Sequence, residues 1–145
     1  MFASSDYGTG GALVKISASG DAQRADEKYF EQKMRNHHGG IVLVGDYLYG
    51  YGSSLICMHY LTGKIAWADR GVGKGSLVYA DGMLFFLSEG HTVGLIEATP
   101  AGYREHGRFK IERQGRPSWA HPVVSGGRLY IRDQQRLTAY DVSAK

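Results

Sequence analysis

Ile41-Val42-Leu43-Val44-Gly45-Asp46-Tyr47-Leu48-Tyr49-Gly50-Tyr51-Gly52-Ser53-Ser54-Leu55-Ile56-Cys57-Met58-His59-Tyr60-Leu61-Thr62-Gly63-Lys64-Ile65-Ala66-Trp67 is the stretch whose reading decides the fold. Ile41–Val44 is a short apolar run closed by Gly45-Asp46, two residues able to take the positive φ of a hairpin turn. Tyr47–Tyr51 returns rich in aromatics, which suit a pleated surface. Gly52-Ser53-Ser54 turns the chain into a third strand, Leu55–Tyr60, and Leu61-Thr62-Gly63 turns it into a fourth, Lys64–Asp69. Four antiparallel strands make one meander sheet, too small to be stable alone.

The pattern repeats along the chain. Tyr47-Leu48-Tyr49 after Gly45-Asp46 returns as Met83-Leu84-Phe85 after Asp81-Gly82, and as Arg128-Leu129-Tyr130 after Gly126-Gly127. The intervals between the three leucines, 36 and 45 residues, fall in the range of β-propeller blades of four strands each. Phe2–Asp6, Ala12–Ser17 and Glu27–Met34 are read as the last three strands of a first blade. Ile41–Asp69 and Leu77–Ile111 are read as complete blades, and Val123–Val142 as the first three strands of a fourth. The expectation is an all-β chain of fourteen strands, a partial propeller with blades at about 1–36, 37–71, 72–115 and 116–145. Ala22–Asn36 is rich in helix formers. Its apolar residues make no clean helical stripe, so the repeat prevails and a strand is expected there.

Composition agrees with this class and excludes others. Twenty-one glycines and ten tyrosines against three prolines suit short strands and tight turns. The lone Cys57 excludes an intrachain disulfide framework and is read as a small buried side chain. No apolar run reaches the roughly 20 residues of a membrane span, and no charged-then-apolar leader opens the sequence. Because Phe2–Ser5 reads as mid-strand, Met1 is read as a start placed inside a longer protein. The net charge of +3 gathers between Arg104 and Arg116. Only Tyr103 and Phe109 accompany that run, too few aromatics for a single-strand nucleic-acid groove. It is read as a solvated outer strand, with no nucleic-acid partner.

Leu61-Thr62-Gly63-Lys64-Ile65-Ala66-Trp67 resembles the Thr-Gly-Lys-x-x-Trp signature of the pyrroloquinoline-quinone-type (quinoprotein-like) propeller repeat. Asn36-His37-His38-Gly39-Gly40 and Leu95-Ile96-Glu97-Ala98-Thr99-Pro100 are similar to bacterial proteins of that superfamily. The resemblance implies structural roles for Thr62, Gly63, Lys64 and Trp67, the Trp docking on the neighbouring blade. It also implies a periplasmic or secreted setting. Two departures stand out: His59 replaces an acidic residue, and only the second blade keeps the Trp, the matching place in the third falling near His106.

Three to four blades leave an open arc, and closure removes most edges. The chain is therefore expected to self-associate, two half-propellers closing a ring as a homodimer, or to join the remainder of a larger propeller. Loops sharing one rim of the expected channel carry Asn36, His37, His38, Lys74, Arg116, Ser118, Trp119 and His121, with Ser53, Ser54, Glu89, His91, Asp133 and Gln134 on the intervening turns. The ligand candidates are His37, His38, Lys74, Arg116, Trp119, His121 and Asp133. No HExxH or CxxC accompanies the paired histidines, so no metal centre is expected. Gly71–Ser76 lacks the order of a phosphate loop. The expected function is a non-catalytic scaffold or binding module. The alternative is part of a quinone-dependent alcohol dehydrogenase, with pyrroloquinoline quinone on Trp119 and calcium held by carboxylates such as Asp133. A carbohydrate- or peptide-binding rim is the third reading.

Overall fold

The computed structural model describes residues 1–143, and strands account for every regular element in them. The first sheet holds β1 (Phe2–Ser5), β2 (Gly10–Ser19) and β3 (Ala22–Glu31). The second holds β4 (Ile41–Val44), β5 (Tyr47–Tyr51), β6 (Leu55–His59) and β7 (Ile65–Asp69). The third holds β8 (Gly75–Ala80), β9 (Met83–Ser88), β10 (Thr92–Glu97) and β11 (Glu105–Lys110). The fourth holds β12 (Val123–Ser125), β13 (Arg128–Asp133) and β14 (Arg136–Asp141). Every sheet is an antiparallel meander in chain order. No helix among the described residues is long and apolar enough to cross a membrane.

The segment with helical propensity is strand β3, which runs Ala22–Glu31 rather than Glu27–Met34. It pairs with β2 along its whole length, so a long two-stranded ribbon overrides local preference. Met34 lies beyond it and is fully buried.

Successive sheets are joined by apolar clusters. Met34, Leu48, Ile56 and Met58, with Phe2 and Tyr29, join the first sheet to the second. Tyr49, Leu55 and Cys57 meet Leu77, Leu84 and Phe86 between the second and third. Leu87 and Val93 meet Leu129 and Ile131 between the third and fourth. Each such side chain, fully buried, contributes roughly 1.5–3 kcal/mol. The leading strands also touch, β4 against β8 and β8 against β12. Burial pushes the Cys57 thiol up to about 11, the Tyr49 hydroxyl bonded to it acting in the opposite sense.

Cross-strand register reveals an internal equivalence. Phe2, Leu13 and Tyr29 lie abreast in the first sheet, Tyr49, Cys57 and Trp67 in the second, and Phe85, Leu95 and Gly107 in the third. In all three the register slips directly after the middle residue, at Leu13/Val14, Cys57/Met58 and Leu95/Ile96. This shared bulge places one extra residue on each outer strand. In the third sheet that residue is His106, so the counterpart of Trp67 is Gly107, one place beyond the sequence expectation.

Trp67 packs on Tyr49 and Tyr103, ring centroids 6.1 and 5.9 Å away, and its Nε1–H donates to the Thr99 carbonyl at 2.7 Å. Tyr29 does the same for the first sheet: its ring meets Phe2 at 6.3 Å and its hydroxyl donates to the Tyr60 carbonyl at 2.6 Å. That burial raises its pKa to about 12. Gly63 of the Thr-Gly-Lys turn lies under the Tyr29 ring, where a Cβ would approach within 2.6 Å. Lys64 N–H donates to Thr62 Oγ1 at 3.3 Å, and Thr62 N–H to His59 Nδ1 at 3.3 Å. The imidazole thus supplies the acceptor at this turn.

Candidate functional site

The connection between β3 and β4 carries Asn36-His37-His38-Gly39-Gly40 and is locked at both ends. Asn36 N–H donates to Ser4 Oγ at 2.8 Å, and its Nδ2 donates to the carbonyls of Gly40 and Tyr51 at 3.0 and 3.1 Å. Gly39 touches the third sheet so closely that a Cβ would lie 2.0 Å from the Gly75 carbonyl oxygen, while the Gly39 carbonyl accepts from Leu77 N–H at 3.1 Å. His121, from the connection before β12, donates Nε2–H to the His38 carbonyl at 2.6 Å. The motif's polar and small residues hold the loop, which leaves the two imidazoles to face the neighbouring turns.

Those imidazoles enter a cluster. His38 Nε2–H donates to Glu89 Oε1 at 2.7 Å. The Lys74 ammonium donates to His37 Nδ1 at 3.0 Å and lies 3.6 Å from Glu89 Oε1 and 3.8 Å from Asp6 Oδ2. With Nδ1 accepting, neutral His37 carries its proton on Nε2 and donates it to the Tyr7 hydroxyl at 2.9 Å. The Trp119 ring, more than half exposed, stands 6.2 Å from His38. Backbone bonds fix the frame, Glu89 N–H to the Lys74 carbonyl at 2.7 Å and Ser118 N–H to the Glu89 carbonyl at 3.3 Å. Four of the seven sequence candidates, His37, His38, Lys74 and Trp119, meet here, with His121 as support.

The ligand atoms of His37, His38 and Glu89 lie within 4.8 Å of one another, a spacing a metal ion could use. A cation is already beside them: the Lys74 ammonium neutralises Glu89 and Asp6 and occupies the His37 lone pair. The Lys74 ammonium therefore competes with any metal for these ligand atoms.

No protein-family model matches the chain, and no curated protein does.

The remaining candidates lie elsewhere. Asp133 is buried between the third and fourth sheets, its Oδ2 accepting from Gln114 N–H at 3.0 Å and lying 3.2 Å from His91 Nε2. Its other oxygen has no protein partner among the described residues, and Asp133 is one of the residues lining a cavity of about 40 Å³, room for water. Calcium needs several oxygens around one open point. A carboxylate buried against a histidine and a backbone N–H does not offer that, so Asp133 does not fit a calcium ligand. Arg116 is exposed and lines a surface cleft with Gln114, Arg132 and Gln134.

Of the basic run, Arg104 and Arg108 have carboxylate partners. Arg104 and His106 approach Glu97 at 3.4 and 3.2 Å, Arg108 forks onto Glu105, and Arg136 meets Glu112. The Arg108 fork holds Glu105 below the ordinary carboxylate range. Sequence reasoning missed Asp6 and Tyr7. Their signal was available: they occupy the β1–β2 turn, the counterpart of the turn that carries Glu89.

Proposed function

We propose that the chain is an arc of a β-propeller that acts as a non-catalytic binding module, its ligand seated on the loop cluster of Tyr7, His37, His38, Lys74 and Glu89. Four similar meanders, inner strands in contact and apolar clusters between successive sheets support the propeller reading. One observation carries the functional reading: loops of several sheets bring hydrogen-bonding groups of both polarities beside the exposed ring of Trp119. A flat aromatic face next to convergent donors and acceptors suits a hydroxyl-rich ligand, whose C–H face stacks while its hydroxyls exchange hydrogen bonds. Neutral oligosaccharides are that class.

Trp119 reports the test. In a Trp67→Phe background it is the one tryptophan left, and titration with neutral oligosaccharides should shift its emission. His38→Ala should abolish the shift. Emission and heats of mixing unchanged across the panel would refute the binding reading.

The end faces support ring closure by a second copy. Register puts Ala3, Ala12 and Phe30 on the outer face of the first sheet, and Val123, Tyr130, Ala139 and Leu137 on that of the fourth. Phe30, Val123 and Leu137 are each more than half exposed, the kind of surface that partners cover. Light scattering on the size-exclusion peak should give a dimer, and a monodisperse monomer would refute closure.

A further inference from the structure

The equivalence of Tyr29, Trp67 and Gly107 has a consequence at the junction of the third and fourth sheets. In the first two junctions an aromatic from the outer strand fills the groove and donates one hydrogen bond to a carbonyl just past the third strand of the next sheet. At the third junction the register puts Gly107 in that place. The other walls are conserved in kind: Phe85, Val93 and Leu95 stand where Tyr49, Leu55 and Cys57 surround Trp67. Leu129 and Val142 stand where Leu84 and Ala98 complete the earlier junction. With no side chain on Gly107, these residues, together with Arg108 and Phe109, line an open groove of about 220 Å³ whose surface is almost wholly apolar. A buried apolar cavity of about 150 Å³ is enough to take up benzene.

We propose that this groove is a binding site for a small planar aromatic molecule bearing one N–H or O–H donor, an indole or a phenol. Three features carry it: the volume, the apolar lining, and two occupied copies of the same groove in the same chain. Those copies define the ligand chemistry, since one is filled by an indole and the other by a phenol. They also locate the acceptor. Val142 and Ser143 hold the places of Tyr60 and Thr99, whose carbonyls receive the Tyr29 and Trp67 hydrogen bonds. The site is separate from the Trp119 cluster, so the two proposals stand or fall independently.

Gly107 also makes the test direct. Nothing lies within 4 Å of a Cβ built there and its φ is outside the left-handed region, so a side chain can be added without backbone strain. The probe is indole, added to the 145-residue chain while amide shifts and thermal midpoint are followed. The expected dissociation constant is roughly 0.1–1 mM, ordinary for a ligand of that size. Indole should shift the Gly107 amide and raise the midpoint, and benzothiophene, which lacks the donor, should bind several-fold more weakly. Gly107→Trp should raise the midpoint without ligand and abolish indole binding. Gly107→Leu fills the groove with a smaller side chain and should also abolish it, which keeps the test intact if the tryptophan variant does not fold. Millimolar indole without effect on the Gly107 amide would overturn the proposal, as would binding that survives both substitutions. So would a self-association that Gly107→Leu dissolves, because the groove would then belong to a second copy.

Discussion

Replacing Trp67 with alanine removes the side chain that ties the second sheet to the third. Two contributions are lost. The Nε1–H to Thr99 carbonyl bond, 2.7 Å long, is worth about 1 kcal/mol net. The indole contacts with Tyr49 and Tyr103 add more, since truncating a large aromatic in a core costs roughly 3–5 kcal/mol. Trp67 is only partly buried, so the low end applies, about 3 kcal/mol in all. For a domain of this size that lowers the thermal midpoint by roughly 10 °C. Trp67→Phe keeps a ring in the groove but loses the donor, and should cost about a third to a half as much. Urea unfolding followed by far-ultraviolet circular dichroism separates the two variants, because it does not depend on tryptophan emission. A loss below about 1 kcal/mol for Trp67→Ala, or equal losses for both variants, would refute the view that the indole docks the two sheets.

Gly39→Ala should destabilise by about 2 kcal/mol or more because its Cβ would meet the Gly75 carbonyl, a backbone atom that cannot step aside; chemical denaturation measures it, and a neutral change would refute the close approach. Cys57 is held protonated to about 11 from an ordinary value of 9.0, so its share of stability is fully present below pH 9 and is lost as pH rises toward 11. That share is roughly 2–3 kcal/mol, and Cys57→Ser unfolding curves that run parallel to wild type across this window would refute it. Lys74→Ala removes the resident cation from among His37, His38 and Glu89; calorimetry should show zinc binding at least tenfold tighter than in wild type, and equal affinities would show that Lys74 does not guard the trio.

Much of the fold was legible because turn chemistry and strand alternation are local. Gly45-Asp46, Asp81-Gly82 and Gly126-Gly127 each close a hairpin, with positive φ at Gly45, Asp81, Gly82, Gly126 and Gly127. These turns recur at intervals of 36 and 45 residues, so all fourteen strands could be anticipated. The bounds of β3 were less legible, since a two-stranded ribbon draws its extent from its partner β2 rather than from its own residues. Part of the site was legible for the same reason: His37, His38, Lys74 and Trp119 sit on connections that a meander repeat sends to one end. Asp133 lies on such a turn too, yet it is withdrawn between sheets by His91 and Gln114.

The sequence by itself determined the class, the strand order and the positions of the turns, because those depend on residues a few places apart. Only the tertiary structure decided which side chains meet. One bulge residue on each outer strand shifts the register by one, and with period-two alternation that shift chooses which residue faces the next sheet. Tyr29 and Trp67 therefore fill their grooves while Gly107, and not His106, leaves the third one open. The Lys74–His37 and His38–Glu89 contacts are likewise set by how neighbouring sheets pack, a long-range consequence of apolar burial that no local pattern encodes.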